Sequence, residues 1–164
     1  MRTSIFAIAL VAATGCLMQS PCLADTTPEV FNSFKPDEVA AILRDAGYRA
    51  EVITANNSTR VLTGMGGWNV NVYFYDCNDS GDCRSLQYRV WLDKMDNYSL
   101  NAANKWNHEK RFAKAYLNDN GDIYLEADVL FDRVTKETVS ASARFFDQLV
   151  GLFRNSLKSV SAAR

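Results

Sequence analysis

The sequence predicts a single α+β domain, helices packed against an antiparallel sheet, and three observations carry that prediction. Several runs alternate apolar and polar residues with the period of two that half-buried strands require. The clearest spans Arg111 to Asp132: Ala113, Ala115 and Leu117 precede Asn120-Gly121, and Ile123, Leu125, Ala127, Val129 and Phe131 follow it. Two other segments, after Pro36 and after Thr135, place apolar residues at helical steps of three and four. Finally, the 164 residues, less an N-terminal leader, suit one core, with no internal repeat or low-complexity linker. The expected order is α-β-β-β-α-β-β-α.

The leader comes first. Arg2, an apolar run from Ile5 to Ala13 and a polar stretch ending in Cys22-Leu23-Ala24 have the layout of a secretory signal peptide. The run is too short for a span, which needs roughly 20 apolar residues. Residues 1–24 are therefore expected to leave, 25–35 to form a flexible leader and 36–160 to form the domain. A competing reading is a lipoprotein, since Ala13-Thr14-Gly15 sets small residues before Cys16, which would then carry a lipid anchor. Alanine at the first of those positions is unusual for such a site. No later segment is long and apolar enough for a spanning helix, so a periplasmic or secreted domain without a membrane span is expected.

From Pro36 the pattern is helical: proline at the first position, Asp37 and Glu38 in the first turn, Val39, Ile42, Leu43 and Ala46 on one face, and Gly47 as the stop. Tyr48 to Ala55 reads as a strand and Asn56-Asn57-Ser58-Thr59 as a turn. Arg60 to Met65 leads to a Gly66-Gly67 break, where a turn or bulge is expected. Trp68, Val70, Val72 and Phe74 then alternate with Asn69, Asn71, Tyr73 and Tyr75. Beyond CNDSGDC, Leu86, Tyr88, Val90 and Leu92 alternate with Gln87, Arg89 and Trp91, giving a strand paired with the previous one. Ser99 can cap a short helix carrying Leu100, Ala103 and Trp106. Asn120-Gly121 supplies the positive φ angles of a tight hairpin. The last helix runs from about Lys136 to Lys158, capped by Thr135, with a main stripe through Val139, Ala143, Phe146, Val150, Phe153 and Leu157. A second stripe, Phe145, Leu149 and Leu152, makes its apolar surface wide enough to touch something beyond the sheet, either another helix or a second protomer.

Chemistry is sparse. Removal of Arg2 takes the formal net charge from −1 to −2, and the charges are interspersed, which argues against nucleic acid. Cys16 and Cys22 leave with the leader, so Cys77 and Cys83 are expected to pair in an oxidising compartment, closing a hairpin worth about 2–3 kcal/mol. With His108 the only histidine, neither a zinc site nor a Ser-His-Asp arrangement finds its members, and no cofactor is expected. Glu126 and Asp128 share the outward face of one strand, where solvation explains them as well as acid and base work does. Around Gly121 the ligand positions of a calcium loop fall on Tyr116 and Ala127, so that match fails. What is left over is an aromatic set, Trp68, Tyr73, Tyr75, Tyr88 and Trp91. With Phe145, Leu149 and Leu152 it supplies a candidate partner surface: Trp68, Tyr73, Tyr75, Trp91, Phe145, Leu149 and Leu152.

Trp106-Asn107, Arg111-Phe112, Ala115-Tyr116-Leu117, Gly121-Asp122, Leu125-Glu126 and Asp128, together with the DEVAAILRDAGY helix, resemble the YbjN family of bacterial sensory transduction regulators across nearly the whole mature chain. That resemblance implies a fold similar to class I type III secretion chaperones, which form homodimers and bind extended segments of other proteins. It brings no catalytic residues. The expected function is an exported, non-enzymatic protein- or peptide-binding regulatory domain, homodimeric and chaperone-like or sensory. The alternative is a hydrolase or small-ligand sensor using Glu126, Asp128 and His108.

Overall fold

Pro36 opens the first helix, α1 (Pro36–Asp45), where the Lys35 N–H donates to the Glu38 carboxylate at 2.8 Å. The helix stops at Gly47, whose φ of +91° lets the Gly47 and Tyr48 N–H groups turn back to the Arg44 and Leu43 carbonyls. The computed structural model describes residues 27–56 and 58–162, so the expected signal peptide and the Cys16 site lie outside the described residues. Strands β1 (Ala50–Ala55), β2 (Ser58–Met65), β3 (Trp68–Cys77) and β4 (Cys83–Leu92) follow, then α2 (Leu100–Glu109), β5 (Lys114–Leu117), β6 (Ile123–Leu130) and α3 (Lys136–Ala162). All six strands form one antiparallel sheet in the order β1-β2-β3-β4-β6-β5.

The α+β class and the three helices match the sequence-based expectation; the expected order needs one strand more. Ser58–Met65 is a strand, paired with both β1 and β3. Its Thr63 and Gly64 weaken the sequence pattern, but two neighbours supply a ladder on each side. The leader also needs correcting from Phe31 onward. Phe31 exchanges backbone hydrogen bonds with Val134 (2.7 and 2.9 Å), and Phe34 does so with Cys83 (3.0 Å each way). Phe34 is fully buried, packed edge-on against Phe131.

Two loops share the pattern Asn-Asp-x-Gly-Asp and fold identically. In each, the asparagine side chain (Asn78 or Asn118) accepts from the N–H groups two and four residues on, and its carbonyl accepts from the glycine at 2.9 Å. Gly81 (φ +81°) and Gly121 (φ +87°) then close the bulge. The second loop is therefore a three-residue connection with one positive φ, not the two-residue turn expected of Asn120-Gly121. The first loop is also closed by the Cys77–Cys83 disulfide, which joins directly opposed residues of β3 and β4.

The core lies between the sheet and the helices. Val61, Val70, Val72, Leu86, Tyr88, Ile123 and Leu125 face α1 and α3, which contribute Val39, Leu43, Val139, Phe146, Val150 and Phe153. Tyr88 stacks on Phe146 and gives its hydroxyl a partner in Ser142 at 3.0 Å. Thr135 caps α3, accepting from the Thr138 N–H at 3.1 Å. At the β5 edge, Asn107 of α2 pairs its side-chain amide with the Ala115 backbone, at 2.8 and 2.9 Å, as a strand would. Trp106 donates to the Ala113 carbonyl at 3.1 Å and packs on Phe153.

Candidate functional site

Alternation sends the other half of the strand residues to a face that none of the helices covers among the described residues. Cross-strand pairing arranges that face in rows. Gln87 lies opposite Tyr73 and Asp128; Arg89 lies opposite Asn71 and Glu126, with Lys114 beyond; Trp91 lies opposite Tyr124, with Tyr116 beyond. The middle row carries the charge. Arg89 Nε stands 2.6 Å from one Glu126 oxygen, Lys114 Nζ stands 3.1 Å from the other, and the Tyr116 hydroxyl donates to the first at 2.9 Å. Glu126 is 2 % exposed, so the solvated outer face expected for it is wrong: its neighbours lie over it. Asp128 is exposed but also engaged, accepting from Gln87 Nε2 at 2.7 Å.

Electrostatics tightens the arrangement. Burial is the largest influence on the Arg89 charge and works against it, but Glu126, joined by Tyr75 and Tyr116, outweighs it and holds the guanidinium above its ordinary pKa. The guanidinium also lies over the Tyr73 ring at 4.6 Å and within 5.9 Å of the Tyr124 ring. Burial, then the hydrogen bond to Glu126 and its charge, pushes the Tyr116 phenol up to about 12. Around this ion-paired centre Trp91 and Tyr75 stand 54 % and 42 % exposed. The arrangement can offer stacking surfaces and fixed polar groups to a partner. As an acid-base pair it is poorly disposed, because Glu126 is already tied to two cations and a phenol.

The expected partner surface divides. Tyr73, Tyr75 and Trp91 share the open face, while Phe145 and Leu152 are exposed on the helix layer, where Phe145 meets Phe112 at 5.4 Å. Trp68 and Leu149 are corrections. Trp68 sits on the core face, edge-on to Phe153, and Leu149 is buried; Tyr88 is likewise core. His108 is exposed on the last turn of α2 and is not among the groups bonded to Glu126 or Asp128. Sequence reasoning missed Arg89, Lys114, Tyr116 and Gln87 as partners of the two carboxylates. Outward alternation was the available signal, but the pairing of β4 with β6 decides who meets whom.

A depression of about 500 Å³ lies elsewhere, between the start of α1 and the disulfide hairpin, and is open to solvent. Among the described residues no group of three His, Cys, Asp or Glu side chains is placed to hold a metal ion, and no helix is long and apolar enough to cross a membrane.

Of the residues that carry the family resemblance, Trp106, Asn107, Ala115, Leu125, Gly121 and Asp122 are accounted for by core, clamp and turn. Tyr116, Glu126 and Asp128 lie on the open face instead, Tyr116 bonded to Glu126 and Asp128 to Gln87. The chain shares its fold with a crystal structure of an uncharacterized protein from Methanothermobacter thermautotrophicus, at a TM-score of 0.51 and 10 % identity, over 79 % of this chain and 99 % of that one. No curated protein matches it. The YbjN family, described as "Putative bacterial sensory transduction regulator", matches residues 35–159, most of the chain, and the chain belongs to that family.

Proposed function

We propose that this chain is an exported, non-enzymatic regulatory domain that binds protein or peptide through the open face of its sheet. One observation carries the reading: exposed Tyr75 and Trp91 frame a polar centre whose Glu126 is bonded on both oxygens, a surface prepared for contact rather than for proton transfer. Membership of a family described as regulators points the same way, and the Cys77–Cys83 disulfide agrees with an oxidising compartment. The assembly that accompanies this reading is a homodimer through the helix layer, where Phe145 and Leu152 are exposed.

The test is a double substitution, Tyr75→Ala with Trp91→Ala, in the mature oxidised protein. Capture of periplasmic partners should fall about tenfold while the melting temperature stays unchanged. Unchanged capture would overturn the open-face reading, and a monomeric mass by light scattering would remove the dimer.

A further inference from the structure

We propose that the free edge of β1 accepts an extended peptide as an additional strand, with alternate side chains of that peptide seated in the groove between α1 and the disulfide hairpin. β1 pairs with β2 alone among the described strands, so one side of it has no neighbour. A two-residue hairpin closes on a pair that exchanges both backbone hydrogen bonds. Ala55 and Ser58 hold that place, so Ile53 and Glu51 also bond inward to Arg60 and Leu62. Ala50, Val52 and Thr54 therefore turn their backbone groups outward. The Ala50 carbonyl agrees, since it accepts from Arg44 Nη1 at 2.9 Å. No such cap serves Val52 or Thr54 among the described residues. A row of alternating donors and acceptors is matched by the backbone of another extended chain.

The side chains at the same positions explain why the occupant is a peptide. Val52 and Thr54 wall the groove of about 500 Å³, together with Phe74, Thr59, Pro36 and the Cys77–Cys83 bridge. Val52 and Phe74 are only half-buried there. Lys35 and Asp37 at the rim have opposite signs, so apolar or hydroxyl side chains are favoured over charged ones. A second copy pairing through its own β1 would bring only short Val and Thr side chains and leave most of that volume empty.

The inference rests on the reading that the partner is a polypeptide but places it on a different surface, and the test separates the two. Displayed random peptides of about seven residues, a common strand length, are selected on the oxidised protein. Enriched peptides should alternate apolar residues, slow hydrogen exchange at the Val52 and Thr54 amides, and bind the Thr54→Pro variant about tenfold more weakly. That proline removes an outward N–H, which an edge strand tolerates, together with the exposed hydroxyl contact of Thr54 with Thr59. If the variant does not fold, the exchange measurement on the unaltered protein decides alone. The Tyr75→Ala, Trp91→Ala variant should bind these peptides as before. No enrichment, equal binding to Thr54→Pro, or unaffected amides would overturn the proposal. Protection that grows with protein concentration in the absence of peptide would also overturn it, by giving the edge to a second copy. Loss of binding in the Tyr75/Trp91 variant alone would reject the edge and keep the open face.

Discussion

Glu126 holds its charge beneath Arg89, Lys114 and Tyr116, and its removal sets the two cations against each other. Breaking a fully buried pair costs about 3–5 kcal/mol, but Arg89 and Lys114 reach solvent, so Glu126→Gln should cost about 1–2 kcal/mol in urea unfolding. An unchanged midpoint would show that the cluster contributes nothing to folding. Asn107 is the second test at this scale. Its amide serves both the N–H and the C=O of Ala115, so Asn107→Ala should cost about 2–3 kcal/mol by leaving a buried edge-strand donor and acceptor bare. Stability within about 0.5 kcal/mol of the parent would contradict that. Neither role is visible locally. Glu126 reads as an outward carboxylate because alternation gives the face of a residue and nothing of its neighbours, and its partners come from β4 and β5, placed beside it by the order of the sheet.

At the scale of elements, the β2–β3 turn is docked on α3. The Gly66 N–H donates to Asp147 Oδ1 at 2.5 Å, and a Cβ at Gly66 would stand 2.6 Å from Val150 Cγ1 and 2.7 Å from the Gly151 nitrogen. With φ at +57° as well, Gly66→Ala should cost more than about 2 kcal/mol, measured by thermal unfolding. Gly47→Ala is the control, since its Cβ would meet nothing within 4 Å and only its φ of +91° is at stake. Equal effects would mean that backbone conformation, not the contact, is what Gly66 provides. Most elements were legible: α1 from proline, capping acid and Gly47, and β3, β4 and β6 from strict alternation. β2 and the Phe31–Phe34 segment were not. Both are held by partners distant in sequence, Val134 and Cys83 for the second, and a local period carries no record of such pairing.

At the scale of the whole molecule, the helices gather on one side and leave the other open, which follows from strands that are apolar on one face and polar-aromatic on the other. The core side has a consequence in alkali. Burial foremost pushes the Tyr88 and Tyr98 phenols up to about 12, as burial and Glu126 do for Tyr116, against 10.0 for an ordinary tyrosine. The unfolded chain therefore releases those protons first. The stability tied to them is whole below pH 10 and is lost as the pH climbs toward 12. Ultraviolet titration should find Tyr88, Tyr98 and Tyr116 ionising late, with Tyr48 also raised by burial and by Asp147 beside it; all seven tyrosines titrating together would contradict the burial.

The open side is the functional claim, and a photoreactive phenylalanine analogue tests it most directly, placed at Trp91 on the open face or at Asn101 on the exposed side of α2. Cross-linked partner adducts should form from Trp91 and not from Asn101. Adducts from Asn101 alone, or equal yields from both, would contradict it.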